Sequence, residues 1–445
     1  MPSSYSAASD PGSSAAPHSG GPAAPGLWRD RDFLRLWVGQ TVSQLGEHTC
    51  LVILPLFAVL MLDVQAGELG VLRAVGQAPI LLLSLFAGAW VDSRRTRTVM
   101  VLTDAGRALT LGAVAVAGLL GGLGLPALVV AAFAVGALSV FFDVAYQTSL
   151  VRLVARDQLV RGNSALEGSR SAAQIGGPAL GGVLVSTLSA PIAAASGAVF
   201  FALSFLSIRR IRRPEYIPQR LDGAGQLERS ERPARVWRRI HAGLRFVAGD
   251  ATLRTVCLAS AAFQFFFAAV MTVYLLLLPR DLHLSGTAVG LALATTGPGA
   301  LLGSVLAARL PSRFGHGTVL VSAAALGDGV FLLVPALHGS AAMTVAALLA
   351  VNFVFGTFGQ LVNVTIMAVR QAVTPDGMQG RAAATINFVG MGLTPLGSLL
   401  GGLLAQTCGT RTSLLATAAG MLLSPALMAL SPLAHLGRTL PAPRE

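Results

Sequence analysis

The sequence predicts an all-α, polytopic membrane protein of about twelve transmembrane helices, built as two six-helix halves related by pseudo-two-fold symmetry. Three observations predict it: twelve long apolar stretches, arginines gathered on alternate loops, and matching positions in the two halves. Hydrophobic residues make up 53% of the 445 and charged residues 12%. One water-soluble core cannot hide that much apolar surface, so its solvent is mostly lipid.

Candidate spans fall at 34–62, 68–91, 98–121, 125–154, 162–187, 189–208, 252–278, 285–310, 317–337, 341–371, 379–405 and 410–433. Each matches the roughly 20 apolar residues that a helix needs to cross the hydrocarbon. Barrel strands would be about half as long and alternate in polarity. A helix in lipid satisfies its own backbone polar groups, and the 50 glycines let such helices approach closely. The chain thus divides into a tail at 1–26, a first half at 27–208, a linker at 209–250, a second half at 251–433 and a tail at 434–445. The first tail is rich in Ser, Ala, Pro and Gly and reads as disordered. It lacks the apolar core of a signal peptide.

A formal charge of +12 invites a nucleic-acid reading that its distribution defeats. All 32 basic residues are arginine, and 26 lie in the termini and the loops after even-numbered spans. Only Arg280 and Arg411 lie in the opposite loops. This is the positive-inside pattern, which predicts both termini in the cytoplasm and a multi-pass protein of the inner (cytoplasmic) membrane. No nucleic-acid partner is expected.

Cys50, Cys257 and Cys408 are too scattered for a disulfide framework or a metal site. The seven histidines form no ligand spacing, so neither metal nor other cofactor is expected. Without lysine there is no Walker-type loop to hold ATP. Paired catalytic carboxylates are lacking too, so the chain does not read as an enzyme.

The halves align at an offset of about 220 residues. Gln44 matches Gln264, Gly70 matches Gly290, Val99 matches Val319, Asp157 matches Asp376 and Gly182 matches Gly401. Two like halves with a shared interface are a common transporter plan, with the binding site between them near the bilayer midplane. In the linker, Arg235-Val236-Trp237-Arg238-Arg239 reads either as a basic amphipathic helix on the membrane surface or as a solvated connection.

Ionisable residues inside the bilayer are costly, which makes each a functional candidate. Gln40, Gln44 and Glu47 share one face of the first span by i, i+4, i+7 spacing. That stripe is expected to face a wet cavity. Glu47 is the first candidate for proton coupling, the alternative being a carboxyl that packs against a neighbouring helix. Asp143, with Tyr146 nearby, is a second candidate for proton or substrate contact, and the repeat sets Asn363 opposite it. Asp104 with Arg107, and Glu167 with Arg170, are i, i+3 pairs that can neutralise one another as structural ties or a gate. Arg73, near the outer end of span two, reads as a side chain that snorkels to the interface. In the second half, Phe263, Phe267 and Tyr274 share a face beside Gln264, and Asn352, Gly356, Gly359 and Asn363 form a small and polar stripe. Together with Gln40, Gln44 and Tyr146 these outline a substrate cavity suited to an amphipathic organic molecule. Core packing explains the aromatic stripe equally well. Pro178 can bend the fifth span, while Gly177, Gly181 and Gly182 permit close contact there.

The loop Gly88-Ala89-Trp90-Val91-Asp92-Ser93-Arg94-Arg95-Thr96-Arg97 resembles the signature loop of the major facilitator superfamily: a Gly, an Asp four residues on, then a basic cluster. Gly88, Asp92 and Arg97 match it, while Ser93 and Arg95 replace an Arg and a Gly. Phe142-Asp143, Leu153 to Leu159, Glu167 to Ser171 and Gly177-Pro178-Ala179-Leu180-Gly181-Gly182 are similar to the bacterial branch that contains macrolide-efflux and enterobactin-export proteins. The resemblance covers about Leu27 to Pro432. It implies a gating role for the loop and a monomeric, proton-coupled exporter of a small drug, natural product or siderophore that works by alternating access. An importer of a polar solute and a non-transporting membrane receptor stay open as alternatives.

Overall fold

Long apolar runs broken by short polar turns fold into twelve rods. In the computed structural model these are α1 (Arg31–Met61), α2 (Ala66–Asp92), α3 (Thr96–Leu119), α4 (Leu125–Leu153), α5 (Leu159–Thr187), α6 (Ala190–Arg209), α7 (Ala251–Arg280), α8 (Gly286–Ala307), α9 (His316–Ala336), α10 (Ala341–Val373), α11 (Gln379–Cys408) and α12 (Thr410–Ala429). The structure describes residues 27–92, 94–154, 158–212, 243–338, 341–375 and 378–439. The first tail, the basic linker motif, the Asp157–Asp376 match and the side chain of Asp92 lie outside the described residues. Eleven rods are long and apolar enough to cross a membrane. The twelfth, α5, carries Arg161, Glu167 and Arg170 in its first half.

Odd-numbered rods run from the face carrying Leu27, the near face, to the far face; even-numbered rods return. Proline marks the irregular rods. The helical ladder of α8 breaks at Thr295, before Pro298, and that of α11 breaks at Leu393, before Pro395. α12 breaks at Leu422, before Pro425, and α9 ends in a 3-10 turn that contains Pro335. Each ring removes a backbone donor and crowds the preceding turn. By contrast α5 stays helical through Pro178. The expected close contact is made on this stretch, where Gly177 lies against His48 and Gly181 against the Thr49 carbonyl of α1.

The halves repeat one plan. α1 packs on α5, α2 on α4 and α3 on α6; α7 packs on α11 and α8 on α10 in the same way. Local details repeat as well. Asp30 caps α1 by accepting from the second and third amides beyond it, and Asp250 caps α7 identically. Asp63 and His283, in the turns after α1 and α7, are the two non-glycine residues with positive φ among the described residues, at 45° and 49°. The next amide in each turn reaches back to the same place, Val64 to the Ala58 carbonyl and Leu284 to that of Leu278. The expected match of Gly70 with Gly290 holds. That of Gly182 shifts by one, to Gly402, because Gly182 meets Gly290 in one seam and Gly402 meets Gly70 in the other.

The halves meet along α2–α11 and α5–α8, and those seams close the far face. A Cβ on Gly402 would lie 2.8 Å from the Gly70 Cα, and one on Gly290 would lie 2.7 Å from that of Gly182. Such backbone contact is open only to glycine. An ion pair between Asp63 and Arg280, 2.5 Å, also joins the halves there, as does a hydrogen bond from the Thr287 amide to Ser186 Oγ. The apolar cores agree. One cluster near the far face runs through both halves, including Leu56, Leu69, Val185, Tyr274 and Val289. Near the other face the core is split into one cluster around Phe33, Phe142 and Leu150 and another around Leu253, Leu320 and Val369. The molecule is thus sealed at the far face and parted at the near one.

Candidate functional site: a cavity between the halves

The parting leaves a cavity of about 540 Å³ beneath the far-face seal. α1, α5, α7, α8 and α10 wall it, and Arg73 enters it from α2. One wall is aromatic. Phe263, Phe267 and Phe355 stack with ring centroids 5.3–6.4 Å apart and planes within 15°. The i, i+4 spacing brings the first two rings together on α7, and α10 supplies the third. Besides Arg73, the polar groups are His48, Ser171, Gln174, Thr296, Ser304, Asn352 and Gln360, against a mostly apolar lining. Toward the near face, Glu167 and Arg170 stand 3.8 Å apart and are more than half exposed. An aromatic wall with sparse polar groups suits an amphipathic organic guest.

A second polar centre lies inside the first half. Arg107 is fully buried. It donates to Asp104 Oδ1 at 2.5 Å, Ser43 Oγ at 3.0 Å and Ser139 Oγ at 3.2 Å. Glu47 Oε2 lies 3.6 Å away. The Phe142 and Phe201 rings face the guanidinium from 4.4 and 4.3 Å, a favourable cation–π arrangement. Ser204 donates to the other oxygen of Asp104 at 2.5 Å. Nearby, Gln44 donates to Asp143 at 3.3 Å. Glu47 holds Arg107 least tightly, and its side chain keeps 26% of its exposure.

The Asp104–Arg107 and Glu167–Arg170 pairs expected from spacing both form. Phe263, Phe267 and Asn352 reach the central cavity. The glutamine stripe of α1 does not open on it. Gln40 and Gln44 are buried inside the first half, because the face they share with Ser43 and Glu47 turns toward α3 and α4. Tyr146 is buried there beside Phe142. Tyr274 is sealed in the far-face core, where its hydroxyl accepts from Asn352 at 2.7 Å and its ring meets Phe331. Gln264 and Asn363 line a separate cavity of about 310 Å³ within the second half, together with Asp328. Arg73 corrects the snorkelling reading, since it lines the central cavity and its Nε is buried. In the signature loop, Arg97 donates to the Arg209 carbonyl at the end of α6, and Gly88 faces open space. Sequence reasoning missed Ser139, Ser204, Phe201, His48 and Phe355. Only the helical spacing of Phe355 from Asn352 carried any signal, because the others meet their partners across helices.

Twelve rods in two like halves with a cavity between them define a membrane transporter of the major facilitator superfamily. The chain belongs to its family of transmembrane secretion effectors, whose model matches residues 21–443. It is similar to the multidrug efflux pump Tap of Mycolicibacterium fortuitum, at 29% identity over 85% of this chain and 90% of the relative. Likeness to Tap of Mycobacterium tuberculosis (strain H37Rv) is comparable, at 29% over 84% and 87%. Among solved structures, a bacterial homologue of the iron transporter ferroportin in its inward-facing state superposes with a TM-score of 0.70. Its identity is 17%, covering 89% of this chain and 98% of that one. The nucleoside transporter NupG also gives 0.70, at 14% identity, covering 89% and 98%. These structural likenesses concern the fold. The family and the relatives are transporters, not enzymes.

Proposed function

We propose that the protein is a proton-coupled exporter of small amphipathic drugs, natural products or siderophores. In this reading it works as a monomer in the cytoplasmic membrane, with both described chain ends in the cytoplasm. The observation that carries the reading is the aromatic cavity, sealed at the far face and reached from the near one. The near face holds the arginine-rich loops, so the cavity is loaded from the cytoplasm. Rocking of the halves about it then exposes the guest to the other side. That the Tap relatives are multidrug efflux pumps supports export.

Coupling falls to the polar centre of the first half. Three carboxylates, Asp104, Glu47 and Asp143, share the surroundings of one guanidinium. Asp104 is held by Arg107 and two serine hydroxyls, whereas Glu47 is held by Arg107 alone. A proton reaching Glu47 removes its attraction to Arg107 and so changes how α1 and α3 hold one another. A proton shifts the two states only through such a difference in affinity. The test is Glu47→Gln in inverted vesicles. Pumping driven by a pH gradient is expected to disappear while downhill exchange of the same compound persists. Normal pumping by this variant refutes the coupling role.

A further inference from the structure

We infer that Arg73 makes the ceiling of the central cavity an anion subsite, so that the compounds carried best are aromatic molecules bearing a carboxylate or comparable acid. This rests on the reading of that cavity as the substrate site and narrows its substrate class. Arg73 lies on α2 between two contacts with α11, the Gly70–Gly402 approach and a hydrogen bond from Gln77 to Ser398 at 3.3 Å. It therefore stands just beneath the far-face seal. From there it joins the lining of the cavity otherwise walled by five other helices.

Among the described residues, nothing neutralises it. No aspartate or glutamate lines the cavity, and Arg73 makes no ion pair or hydrogen bond there, its Nε being buried without a partner. A cation withdrawn from water and left unpaired is a cost to folding. The contrast with Arg107 is direct, since that buried guanidinium has carboxylate, hydroxyl and ring partners. Arg73 matches the planar oxygens of an acid, which a guanidinium can bind through two parallel hydrogen bonds. The stacked rings of Phe263, Phe267 and Phe355 receive an aromatic body on the wall below. One charged end and one flat apolar end define the guest.

The subsite is tested with naphthylacetate, its methyl ester and naphthylethylammonium. Binding to the purified full-length protein is measured by equilibrium dialysis in a non-ionic detergent, with protein-free micelles as blank. The acid is expected to bind about tenfold tighter than the ester, the size of one charge-assisted hydrogen-bonded contact, and the amine more weakly than either. Arg73→Gln is expected to erase the preference by bringing acid binding down to the level of the ester, and Arg73→Lys to retain part of it. Equal affinity for acid and ester, a preference that survives Arg73→Gln, or no binding of either overturns the inference. Counterflow in proteoliposomes separates the two readings. Acid binding that depends on Arg73 without any transport defeats the exporter assignment and leaves the anion subsite standing.

Discussion

Gly182 of α5 and Gly290 of α8 meet backbone to backbone, such that a Cβ on Gly182 would lie 2.6 Å from the Gly290 Cα. Gly70 and Gly402 repeat the contact on the opposite seam. These are the joints that must part when the far side opens. Gly182→Val is therefore expected to wedge the seal. Export falls by at least about fivefold, since one forced backbone clash costs on the order of 1–3 kcal/mol. In a Cys408→Ser background, a Phe267→Cys probe becomes reactive toward an impermeant maleimide added at the far face. Gly112→Ala, at a position facing open space, is expected to leave both readouts unchanged.

Removing the cation at the heart of the first half exposes its cost. Arg107→Met leaves the buried Asp104 and the half-buried Glu47 without a counter-charge, which is expected to destabilise the protein by about 3–5 kcal/mol. The double variant Asp104→Asn/Arg107→Met is expected to lose less than the single one. Thermal unfolding in detergent measures both. Arg107→Lys keeps the charge but loses the flat face that Phe142 and Phe201 cover, so it falls between.

Truncating the middle of the aromatic stack tests the cavity wall. Phe267 touches both other rings, and a ring pair contributes about 0.5–1.5 kcal/mol beyond area burial. Phe267→Ala is expected to raise KM for aromatic compounds roughly two- to tenfold and to leave kcat for them near wild type. Efflux kinetics across a series of aromatic and aliphatic compounds reads the difference.

The three cysteines test orientation without any substitution. Cys408 is exposed at the far end of α11, while Cys50 and Cys257 are buried. A membrane-impermeant maleimide added to intact cells is expected to label the protein once, at Cys408. Labelling that requires broken cells places the far face inward and reverses the proposed direction of loading.

Much of the fold was legible because lipid imposes simple rules. Span length and the one-sided arginines each follow from a single physical constraint, and the repeat is carried down to the paired caps Asp30 and Asp250. The two arginines on the sparse side are accounted for as well, Arg280 by Asp63 and Arg411 by a hydrogen bond to His338. The direction of each polar face was not legible. Helical spacing put Gln40, Gln44 and Glu47 together but not whether they look into the first half or into the gap between halves. That depends on rotation of α1 against α3 and α4, which involves residues far apart in the chain, such as Ser204 with Asp104. Arg73 was misjudged for a related reason. Depth along a helix is readable, whereas which neighbour it faces is not. Proline alone does not decide where a ladder breaks: α8 and α11 break before Pro298 and Pro395, whereas α5 stays helical through Pro178.

The Asp63–Arg280 pair adds a consequence of its own. It crosses the seal in contact with water, and the Asp63 side chain retains 92% of its exposure. Such pairs contribute about 0–1 kcal/mol and weaken as ions screen them. Salt raised on the far-face side of the bilayer alone therefore loosens the closed arrangement, by up to a factor of about five, while salt on the near-face side leaves the pair untouched. The resting population of the transporter is in this way tied to the ionic strength of one compartment.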